Sequence, residues 1–484
     1  MEMERLKVLS ENEIAEIHDG ALHILESTGV EFYEPQAVEL LLDAGAKTER
    51  KKVFFPASLV QDSLARAPRK FTLHARDPKR NVTLGSGEVY IEPMIGRINV
   101  IDVNSGEKRR TNLQDAGDLI RVADAMDNYH VLHSGAVMPR IEGVAEGTAH
   151  AHGYLQAVRN SSKVIKGSGR GRQVAEDCIT MASILAGCDK KELAKRPNLF
   201  TTINAISPLK HDHAQTQGLM VYAQHGVPVE VTAEPQLGAT APVTLAGALI
   251  QQTAEILSGI VLAQVVNPGT PVLFGTCAAA MDMKNGLIAL GGVEGALMNV
   301  AHAQMARFYG LPSRGTGCNT DAKVLDMQAG YEKAITLLLT ALAGNDIIFY
   351  PGTIEHALTI DYASLVIDNE ICGIVLRALK GIRVDEKTKA MGLIEEVGSS
   401  GYYLGKKHTL AHMTEELLVT GLTDRDTRDD WVTKGSKRID EKAREKARQI
   451  VNSHRAEALP DAIEMELERF VKEVEERERV ANRQ

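Results

Sequence analysis

The 484-residue sequence has few cysteines, few aromatic residues (4%) and no excess of positive charge. These shortages limit the classes of protein to which it can belong. It has five cysteines, an odd number without a C-x-x-C pair: Cys178, Cys188, Cys277, Cys318 and Cys372. They argue against a disulfide framework or a cysteine zinc knuckle and favour the reducing cytoplasm. The formal net charge of −9 argues against nucleic acid as a partner.

Long apolar runs and a leader segment are also missing. No run approaches the roughly 20 apolar residues that a membrane-spanning helix needs. Residues 1–5 lack the basic start and apolar core of a secretory signal. We therefore expect no membrane partner. The 44% of hydrophobic and 25% of charged residues are those of an ordinary globular protein, so one large core is within reach.

The first 110 residues indicate an N-terminal extension of helices and short strands. Ser10 and Glu13 form a capping box, which predicts the start of an amphipathic helix. The further elements predicted here are helices over 35–45 and 56–67 and a strand pair over 71–73 and 89–101. From Ser436 onward the chain is charged and helical, and its last helix, which starts at Pro460, is expected to pack outside the main domain.

From about Thr111 short apolar runs alternate with long helical stretches, and this alternation indicates a parallel sheet. The strand candidates are 131–138, 163–165, 199–206, 228–232, 271–274, 313–317 and 347–350. The clearest helices between them are 173–185, 248–264, 294–309 and 326–343. Seven strands, with an eighth supplied from 89–101, suit a closed α/β TIM (β/α)8 barrel of about 250 residues.

The domain division that follows is residues 1–110 as the N-terminal extension, 111–435 as the barrel and 436–484 as C-terminal helices. A doubly wound open sheet is the alternative fold. It would be favoured by a G-x-G-x-x-G turn after a strand, and the nearest stretch, 166–172, lacks the third glycine at the right spacing. A nucleotide loop there is the less favoured interpretation.

Three histidine pairs have the chemistry of metal ligands: His211 with His213, His408 with His412, and His150 with His152. None belongs to an H-E-x-x-H motif, so ordinary structural histidines are the favoured interpretation. The sequence also has no G-x-S-x-G elbow of a serine hydrolase. We expect no tightly bound metal, and no acid or base residue is assigned.

Several stretches resemble the trimethylamine methyltransferase family over nearly the whole chain. They are 241–247 (APVTLAG), 254–264 (AEILSGIVLAQ), 308–313 (FYGLPS), 317–323 (GCNTDAK), 326–333 (with Asp326, Gln328, Glu332 and Lys333) and 365–371 (LVIDNEI). The resemblance implies a TIM barrel that passes a methyl group from an amine to the cobalt of a small corrinoid protein.

The archaeal trimethylamine enzymes of this family carry pyrrolysine just before the stretch that corresponds to 319–323, whereas this chain has Cys318 there. It therefore resembles the branch without pyrrolysine, whose members demethylate quaternary amines. Glycine betaine, which would give dimethylglycine, is the favoured substrate; proline betaine, carnitine or another quaternary amine are alternatives. A quaternary ammonium already carries the charge of a good leaving group, so positioning and desolvation can suffice.

The substrate cation should lie among aromatic rings and carboxylates. The candidates for these contacts are Tyr90, Glu92, Phe349, Tyr350 and Glu355. A betaine carboxylate needs a basic partner, and the candidates, in order, are His356 (held protonated by Glu355), Arg97 and Arg314. For Arg314 a surface salt bridge is the favoured alternative. Cys318 is expected to line the pocket without acting as a nucleophile. The residues expected to face the corrinoid are Thr320, Asp321, Gly238, Thr240 and Thr276.

Two other functions remain open. One is a zinc-dependent corrinoid methyltransferase with histidine or cysteine ligands, and the other is a non-catalytic protein that binds quaternary amines on the same barrel. The partners expected from the resemblance are a small quaternary amine, a cognate corrinoid protein (cobalamin type) and further copies of the chain in a cytoplasmic homo-oligomer.

Overall fold

The computed structural model describes residues 4–134, 141–399 and 401–481, and its centre is a barrel of eight parallel strands. The strands are β1 (Tyr90–Glu92), β2 (Val131–His133), β3 (Val164–Gly167), β4 (Leu199–Ala205), β5 (Val229–Ala233), β6 (Val272–Thr276), β7 (Ser313–Thr316) and β8 (Ile347–Phe349). The helices that follow them, in the same order, are α1 (Leu113–Asp124), α2 (Ala149–Asn160), α3 (Arg172–Ala186), α4 (His213–Gln224), α5 (Leu245–Val266), α6 (Val293–Tyr309), α7 (Met327–Leu342) and α8 (Tyr362–Leu379).

Neighbouring strands pair in parallel from β2 to β8, and β8 pairs with β1, where Ile348 lies opposite Ile91. The seam between β1 and β2 is closed by His130 instead of a ladder. The backbone N–H of His130 donates to Ile91 O at 2.9 Å, and the N–H of Ile91 donates to His130 Nδ1 at 3.0 Å. Burial lowers the pKa of His130 to about 4, so the imidazole stays neutral and Nδ1 can accept this bond.

The closed barrel confirms the predicted fold, and the alternative of a doubly wound open sheet is wrong. All seven strand candidates contribute to the barrel, and the eighth strand comes from within 89–101 as expected. The predicted strand 131–138 continues into 135–140, which lie outside the described residues. Because β1 belongs to the barrel sheet, the barrel begins inside the segment 1–110; the division at 110 and 435 stays a prediction.

The N-terminal extension begins with the capped helix that the sequence predicts. The Glu13 N–H donates to Ser10 Oγ and the Ser10 N–H donates to the Glu13 carboxylate, which completes the capping box. Three helices precede the barrel: Glu11–Ser27, Pro35–Asp43 and Ala57–Arg66.

The predicted pairing of 71–73 with 89–101 is wrong. Phe71–Leu73 pairs with Val82–Leu84 in a hairpin. The stretch 89–101 is broken into β1 and a separate strand, Asn99–Ile101. Pro93 explains the break, because it has no N–H for a ladder bond, and Gly96, at a φ of 101°, turns the chain.

One barrel helix, α5, is long and apolar enough by length and composition to cross a membrane. However, 72% of its most apolar window is buried inside the protein. The three N-terminal helices pack over α5, and β5 packs against its inner side. A helix that is apolar all round and covered on both sides is a core helix, and the N-terminal extension therefore serves to bury it.

The amino-terminal end of the barrel is closed by the hairpin Phe71–Leu84. Leu73, Val82 and Leu84 are buried against the first residues of the barrel strands, among them Val131 and Phe200. Two C-terminal helices cover the outside of the barrel: Ile439–Ser453 packs on α1 and α8, and Asp461–Ala481 packs on α2 and α3 as predicted. The open, functional end is therefore the carboxyl end of the strands.

The remaining elements are short. The other helices are Lys190–Lys195, Glu386–Lys389, Met391–Val397, Lys407–Glu416 and Arg428–Thr433, with 3-10 turns at Pro78–Arg80 and Glu146–Thr148. The strands outside the barrel are Val30–Phe32, Lys47–Glu49, Lys52–Phe54, Lys108–Arg110, Lys210–His211, Gln236–Leu237, Ala279–Asp282, Leu287–Ala289, Thr353–Ile354 and Thr359–Asp361, besides those already named.

Candidate active site

A cavity of about 400 Å³ opens at the carboxyl ends of the barrel strands. This size suits a small organic ligand but not a corrin ring system together with it. The side chains that matter most for its chemistry are Arg97, His133, Lys166, Arg170, Glu234, Arg314, Phe349 and Tyr350. They come from the ends of β1, β2, β3, β5, β7 and β8 and the loops that follow, the region in which TIM barrels place their sites.

The floor of the cavity is a chain of four buried charges. Lys166 Nζ lies 3.0 and 3.1 Å from the two oxygens of Glu92 and 3.1 Å from Glu230 Oε2. Arg314 Nε lies 3.2 Å from Glu230 Oε1, although its N–H does not point at that oxygen. At most 3% of any of the four side chains is exposed. Two cations thus alternate with two carboxylates, and the floor is neutral as a whole.

The two carboxylates of this floor differ in pKa. Burial raises the pKa of Glu92, and Lys166 only partly offsets it. Burial also acts to raise the pKa of Glu230, but Arg314 and Lys166 outweigh it and hold the value below the ordinary one. Glu230 has cations on both sides and a further hydrogen bond from Thr232 Oγ1 at 2.8 Å, so it is the carboxylate fixed in its charged form.

One wall of the cavity combines a guanidinium with aromatic rings. The ring centroids of Phe349 and Tyr350 are 4.7 Å apart. The guanidinium carbon of Arg97 lies 5.7 Å from the centre of the Tyr350 ring, and that of Arg314 lies 4.3 Å from the Phe349 ring. Arg97 Nε is buried and has no hydrogen-bond partner among the described residues. A buried donor of this kind is costly unless a ligand or water satisfies it.

Other unsatisfied polar atoms face the same space. Within the described ranges, His133 Nδ1, Thr202 Oγ1 and Asn204 Oδ1 are buried without a hydrogen-bond partner. Burial lowers the pKa of His133 well below its ordinary value, and the nearby cations Lys166 and Arg97 lower it further, so the imidazole is neutral. The cavity therefore offers both donors and neutral acceptors to a polar ligand.

The charges around the cavity do not cancel in the part of the chain that the structure describes. Four cationic side chains line it: Arg97, Lys166, Arg170 and Arg314. They face Glu234 at the rim and the two carboxylates of the floor. One positive charge is left over. Arg97 and Arg170 have no carboxylate in contact among the described residues, and of these two Arg97 is half-buried in the wall whereas Arg170 is exposed. The site is thus suited to a ligand that brings a carboxylate of its own.

Four of the residues predicted to contact the substrate lie at this cavity, namely Arg97, Arg314, Phe349 and Tyr350. Glu92 lies just beneath, bonded to Lys166. The favoured alternative for Arg314, a surface salt bridge, is wrong because the residue is 2% exposed. It points into the barrel, where its ion pair with Glu230 stabilises it.

The other four predicted substrate residues lie elsewhere. Tyr90 is at the opposite end of the barrel, where its hydroxyl accepts a hydrogen bond from Thr83 N. Glu355 is bonded to Lys108 and Thr359 at the rim. His356 Nδ1 lies 2.9 Å from Asp321, so Asp321 and not Glu355 is its carboxylate neighbour. The last of them, Cys318, is fully buried behind the barrel against Cys372.

The residues predicted to face a corrinoid differ in access. Gly238 is exposed and Thr240 half-buried on the turn after β5. Thr276 is buried and bonded to Gln252, and Thr320 is buried and bonded to Glu332. Asp321 is half-buried and accepts from the backbone N–H groups of Leu290 and Gly291. Of these five residues, the two on the turn after β5 are the more accessible, while the other three stabilise the loops of the mouth.

The residues at the centre of the site are not among those predicted from the sequence. Lys166 lies in the stretch 166–172 of the less favoured nucleotide loop, and Glu230 and His133 belong to no predicted site. The available signal was a charged or polar residue inside a run predicted as a buried strand, where the side chain must point into the barrel or remain unpaired. In the structure Gly167 and Gly169 approach Thr201, Leu199 and Tyr222 closely, so these glycines serve packing.

Most histidines of the three pairs have partners in the described structure, although His412 Nδ1 is buried without one. His211 is buried, stacks on Phe32 and lies 2.9 Å from Ser258 Oγ. His150 pairs with Asp177 and His152 with Glu475. The rings of His408 and His412 lie 4.4 Å apart on an outer helix. Within 4–134, 141–399 and 401–481, no group of three or more His, Cys, Asp or Glu side chains converges as metal ligands do.

Comparison with known proteins identifies the family. Residues 1–478 match the sequence model of trimethylamine methyltransferase (MTTB). The chain belongs to the trimethylamine methyltransferase family. A glycine betaine methyltransferase of Desulfitobacterium hafniense strain Y51 is 37% identical to it over 471 residues, which cover 96% of this chain and 97% of that protein. Membership confirms the resemblance found in the sequence and makes the chain a methyltransferase.

Other relatives carry a different name. A trimethylamine methyltransferase MttB of D. hafniense strain DCB-2 is 33% identical over 474 residues, which cover 98% of this chain and 95% of that protein. The MttB of Methanosarcina barkeri strain Fusaro is 31% identical over 479 residues, with coverage of 96% and 94%. Among solved structures, the monomethylamine methyltransferase of M. barkeri has a TM-score of 0.54 at 12% identity and covers 92% of this chain and 88% of its own, which supports the barrel fold alone.

Proposed function

We propose that this methyltransferase takes a methyl group from a quaternary amine that carries a carboxylate, with glycine betaine as the best candidate and dimethylglycine as its product. The observation that carries the proposal is Arg97, a guanidinium in the cavity wall without a carboxylate contact among the described residues. The similarity to the glycine betaine methyltransferase supports the same substrate.

The cavity provides complementary contacts for the two ends of a betaine. Arg97 donates to the carboxylate, which needs a charged partner once it leaves water. The faces of Phe349 and Tyr350 attract the quaternary ammonium, and Glu234, which accepts a hydrogen bond from Asn204, adds a carboxylate at the rim. Choline lacks the carboxylate and would leave Arg97 unpaired. Proline betaine and carnitine share both groups and remain alternatives.

The reaction requires little acid–base catalysis from the protein. The partner protein's corrinoid, once bound at the mouth, supplies the Co(I) nucleophile that accepts the methyl group. The carbon–nitrogen bond breaks, its electron pair stays on nitrogen, and the amine leaves neutral without a proton. The work of the chain is therefore to orient the N–CH3 bond toward the mouth and to exclude water.

The mouth fits such a partner better than it fits a corrinoid held inside the barrel. The cavity of about 400 Å³ holds a small amine, while the exposed turn around Gly238 and the glycine-rich stretch after β3 leave room for a flat, bulky group outside. We propose a cognate corrinoid protein as the methyl acceptor, a cytoplasmic location, and assembly into a homo-oligomer.

The test is a substrate panel with chemically reduced cobalamin, followed by absorbance as methylcobalamin forms. Glycine betaine should be turned over and release dimethylglycine, whereas choline and trimethylamine should not react measurably. Robust turnover of trimethylamine would contradict the proposal. Tight binding of betaine without any turnover would favour the non-catalytic binding protein, and activity that is lost with a stoichiometric metal would favour the zinc-dependent alternative.

A further inference from the structure

Two stretches that mark the family meet behind the barrel and not in the cavity. Lys333, on α7, and Asp368, on α8, lie 2.6 Å apart from Nζ to Oδ2, and both side chains are buried. Neither residue lines the cavity. A pair of charges held out of water is expensive unless each is further bonded, so their remaining partners indicate what the pair does.

Those partners are the backbone of the loop that follows β8. Lys333 Nζ donates to Thr353 O at 2.8 Å, and the Gly352 N–H donates to Asp368 Oδ2 at 2.6 Å. Ser364 Oγ lies 3.1 Å from both charged groups. The ion pair thus binds the N–H of the peptide group before Gly352 and the C=O of the peptide group after Thr353, which fixes the two peptide groups on either side of this residue pair.

The backbone of the loop that this ion pair holds is strained. Tyr350 has a φ of 111°, and three consecutive residues, Glu355, His356 and Ala357, have φ values of 55°, 54° and 59°. Side chains rarely adopt this left-handed region, and each such residue costs on the order of 1–3 kcal/mol. Conformations of this kind persist only where surrounding contacts impose them, so the loop depends on its anchors.

The same loop forms the aromatic wall of the cavity. Tyr350, Ala357 and Leu358 all line it, and the Tyr350 ring lies between the Phe349 ring and the guanidinium of Arg97. We propose that Lys333 and Asp368 are positioning residues for methyl transfer, which act through Gly352 and Thr353 to hold Tyr350 against the substrate. The activity readout of this inference rests on the proposed function, but its structural readout does not.

The test is a double variant, Lys333→Met with Asp368→Leu, which removes both charges and fills the space with apolar groups, a replacement that buried pairs often tolerate. Amide hydrogen exchange of the peptide that covers 350–358 should speed up, while the barrel strands stay protected. The KM for glycine betaine should rise about tenfold, which corresponds to about 1.4 kcal/mol, with a smaller change in kcat.

The matched control is Lys163→Met. Lys163 is also a buried lysine that donates to two carbonyls, those of Ala123 and Met126, but it lies at the other end of the barrel. It controls for the loss of any buried lysine and should leave both the exchange of 350–358 and the KM unchanged.

Gly352→Ala tests the same contact from the loop side. A Cβ there would come within 2.5 Å of the Leu365 side chain, so the loop or that side chain must shift, and a φ of +98° is unfavourable for alanine, so the loop is destabilised while both charges remain. Both variants should show the same pattern. Unchanged exchange in Gly352→Ala, or faster exchange with an unchanged KM, would overturn the inference. If no amine is turned over at all, the exchange result still decides whether the pair holds the loop.

Discussion

At the amino-terminal ends of the strands the barrel is filled with apolar side chains under the hairpin Phe71–Leu84, whereas the carboxyl ends surround a cavity with charged walls. The first end is packed with buried apolar side chains, and Arg76 Nε is a buried polar atom there without a hydrogen-bond partner among the described residues. The second has unsatisfied donors and acceptors and a loop with four left-handed non-glycine residues. Backbone strain and unpaired polar groups lower the stability of a fold. Their concentration at the carboxyl ends of the strands indicates that this end is shaped for ligand binding and not for stability.

Two lysines at β3, only three residues apart in the sequence, show the same contrast between the two ends. Lys163, just before β3, donates only to carbonyls and has no carboxylate in contact, and burial lowers its pKa to about 7. Lys166, three residues later, lies between Glu92 and Glu230 in the cavity floor. Both are buried, but only the second has carboxylates in contact among the described residues. Burial therefore does not identify a functional lysine; its partners do.

The largest effect is expected from Arg97→Met at the open end. The substitution keeps the bulk of the side chain and removes the proposed partner of the betaine carboxylate. Affinity for glycine betaine should fall by about 2–5 kcal/mol, the cost of stripping one member of a buried charge pair, as measured by calorimetric titration. Choline should bind the variant no worse than it binds the wild type.

Arg76→Met is the control for this variant, because Arg76 at the closed end also has a buried Nε without a hydrogen-bond partner in the described structure. It should leave betaine affinity unchanged. If Arg97→Met binds betaine normally, the carboxylate site lies elsewhere, and His356→Gln and Arg314→Met become the next variants to measure.

The contrast between the two ends also explains what could be predicted from sequence. Strand–helix alternation is a local pattern, so seven of the eight strands follow from it, and the closed barrel then requires the eighth strand from 89–101. The seam at His130 and the hairpin over the closed end are long-range contacts, which no local pattern specifies. The break at Pro93 can be predicted from the sequence, because proline cannot continue a central strand.

The site was predicted only in part for the same reason. The strand-end rule brings Arg97, Phe349 and Tyr350 to the cavity, because strand ends meet at the barrel mouth. It cannot tell which way a loop side chain points, so His356 and Glu355 were expected in the pocket but contact Asp321 and Lys108. Lys166 and Glu230 were missed because a charge inside a strand becomes interpretable only once its partner across the barrel is known.

The next prediction compares the stability that a side chain contributes at the closed end and at the open end. Leu84→Ala should lower the free energy of unfolding by about 2–5 kcal/mol, since the fully buried side chain leaves a cavity. Its KM for glycine betaine should not change. Leu358→Ala, at the open end, removes a side chain that is 55% exposed and should cost less than about 0.5 kcal/mol. Chemical denaturation measures both, and equal losses would contradict the difference between the two ends.

A third effect is the pH dependence that Lys163 gives the closed end. Its pKa is about 7 in the folded protein, below the ordinary value of 10.5, so the unfolded chain binds more protons between these values. The cost of burying the charged form is therefore fully present below pH 7 and disappears as pH rises toward 10. Relative to Lys163→Met, the wild type should gain on the order of 3 kcal/mol of unfolding free energy from pH 7 to pH 10. A constant difference between the two proteins would show that Lys163 does not titrate in this range.

The smallest effect is expected from Cys318→Ala, within the stretch 317–323 that carries the resemblance to the family. The thiol is fully buried, and burial together with the hydrogen bond to Cys372 raises its pKa well above the ordinary value, so it is not a nucleophile at neutral pH. Its removal should cost about 1 kcal/mol of stability and leave most of the methyl transfer from glycine betaine. Cys372→Ala, which removes the other half of the contact, should behave alike. A loss of activity beyond roughly a thousandfold, in the range that removal of a catalytic acid or base causes, would place Cys318 in the chemistry and would require its loop to open toward the cavity during turnover.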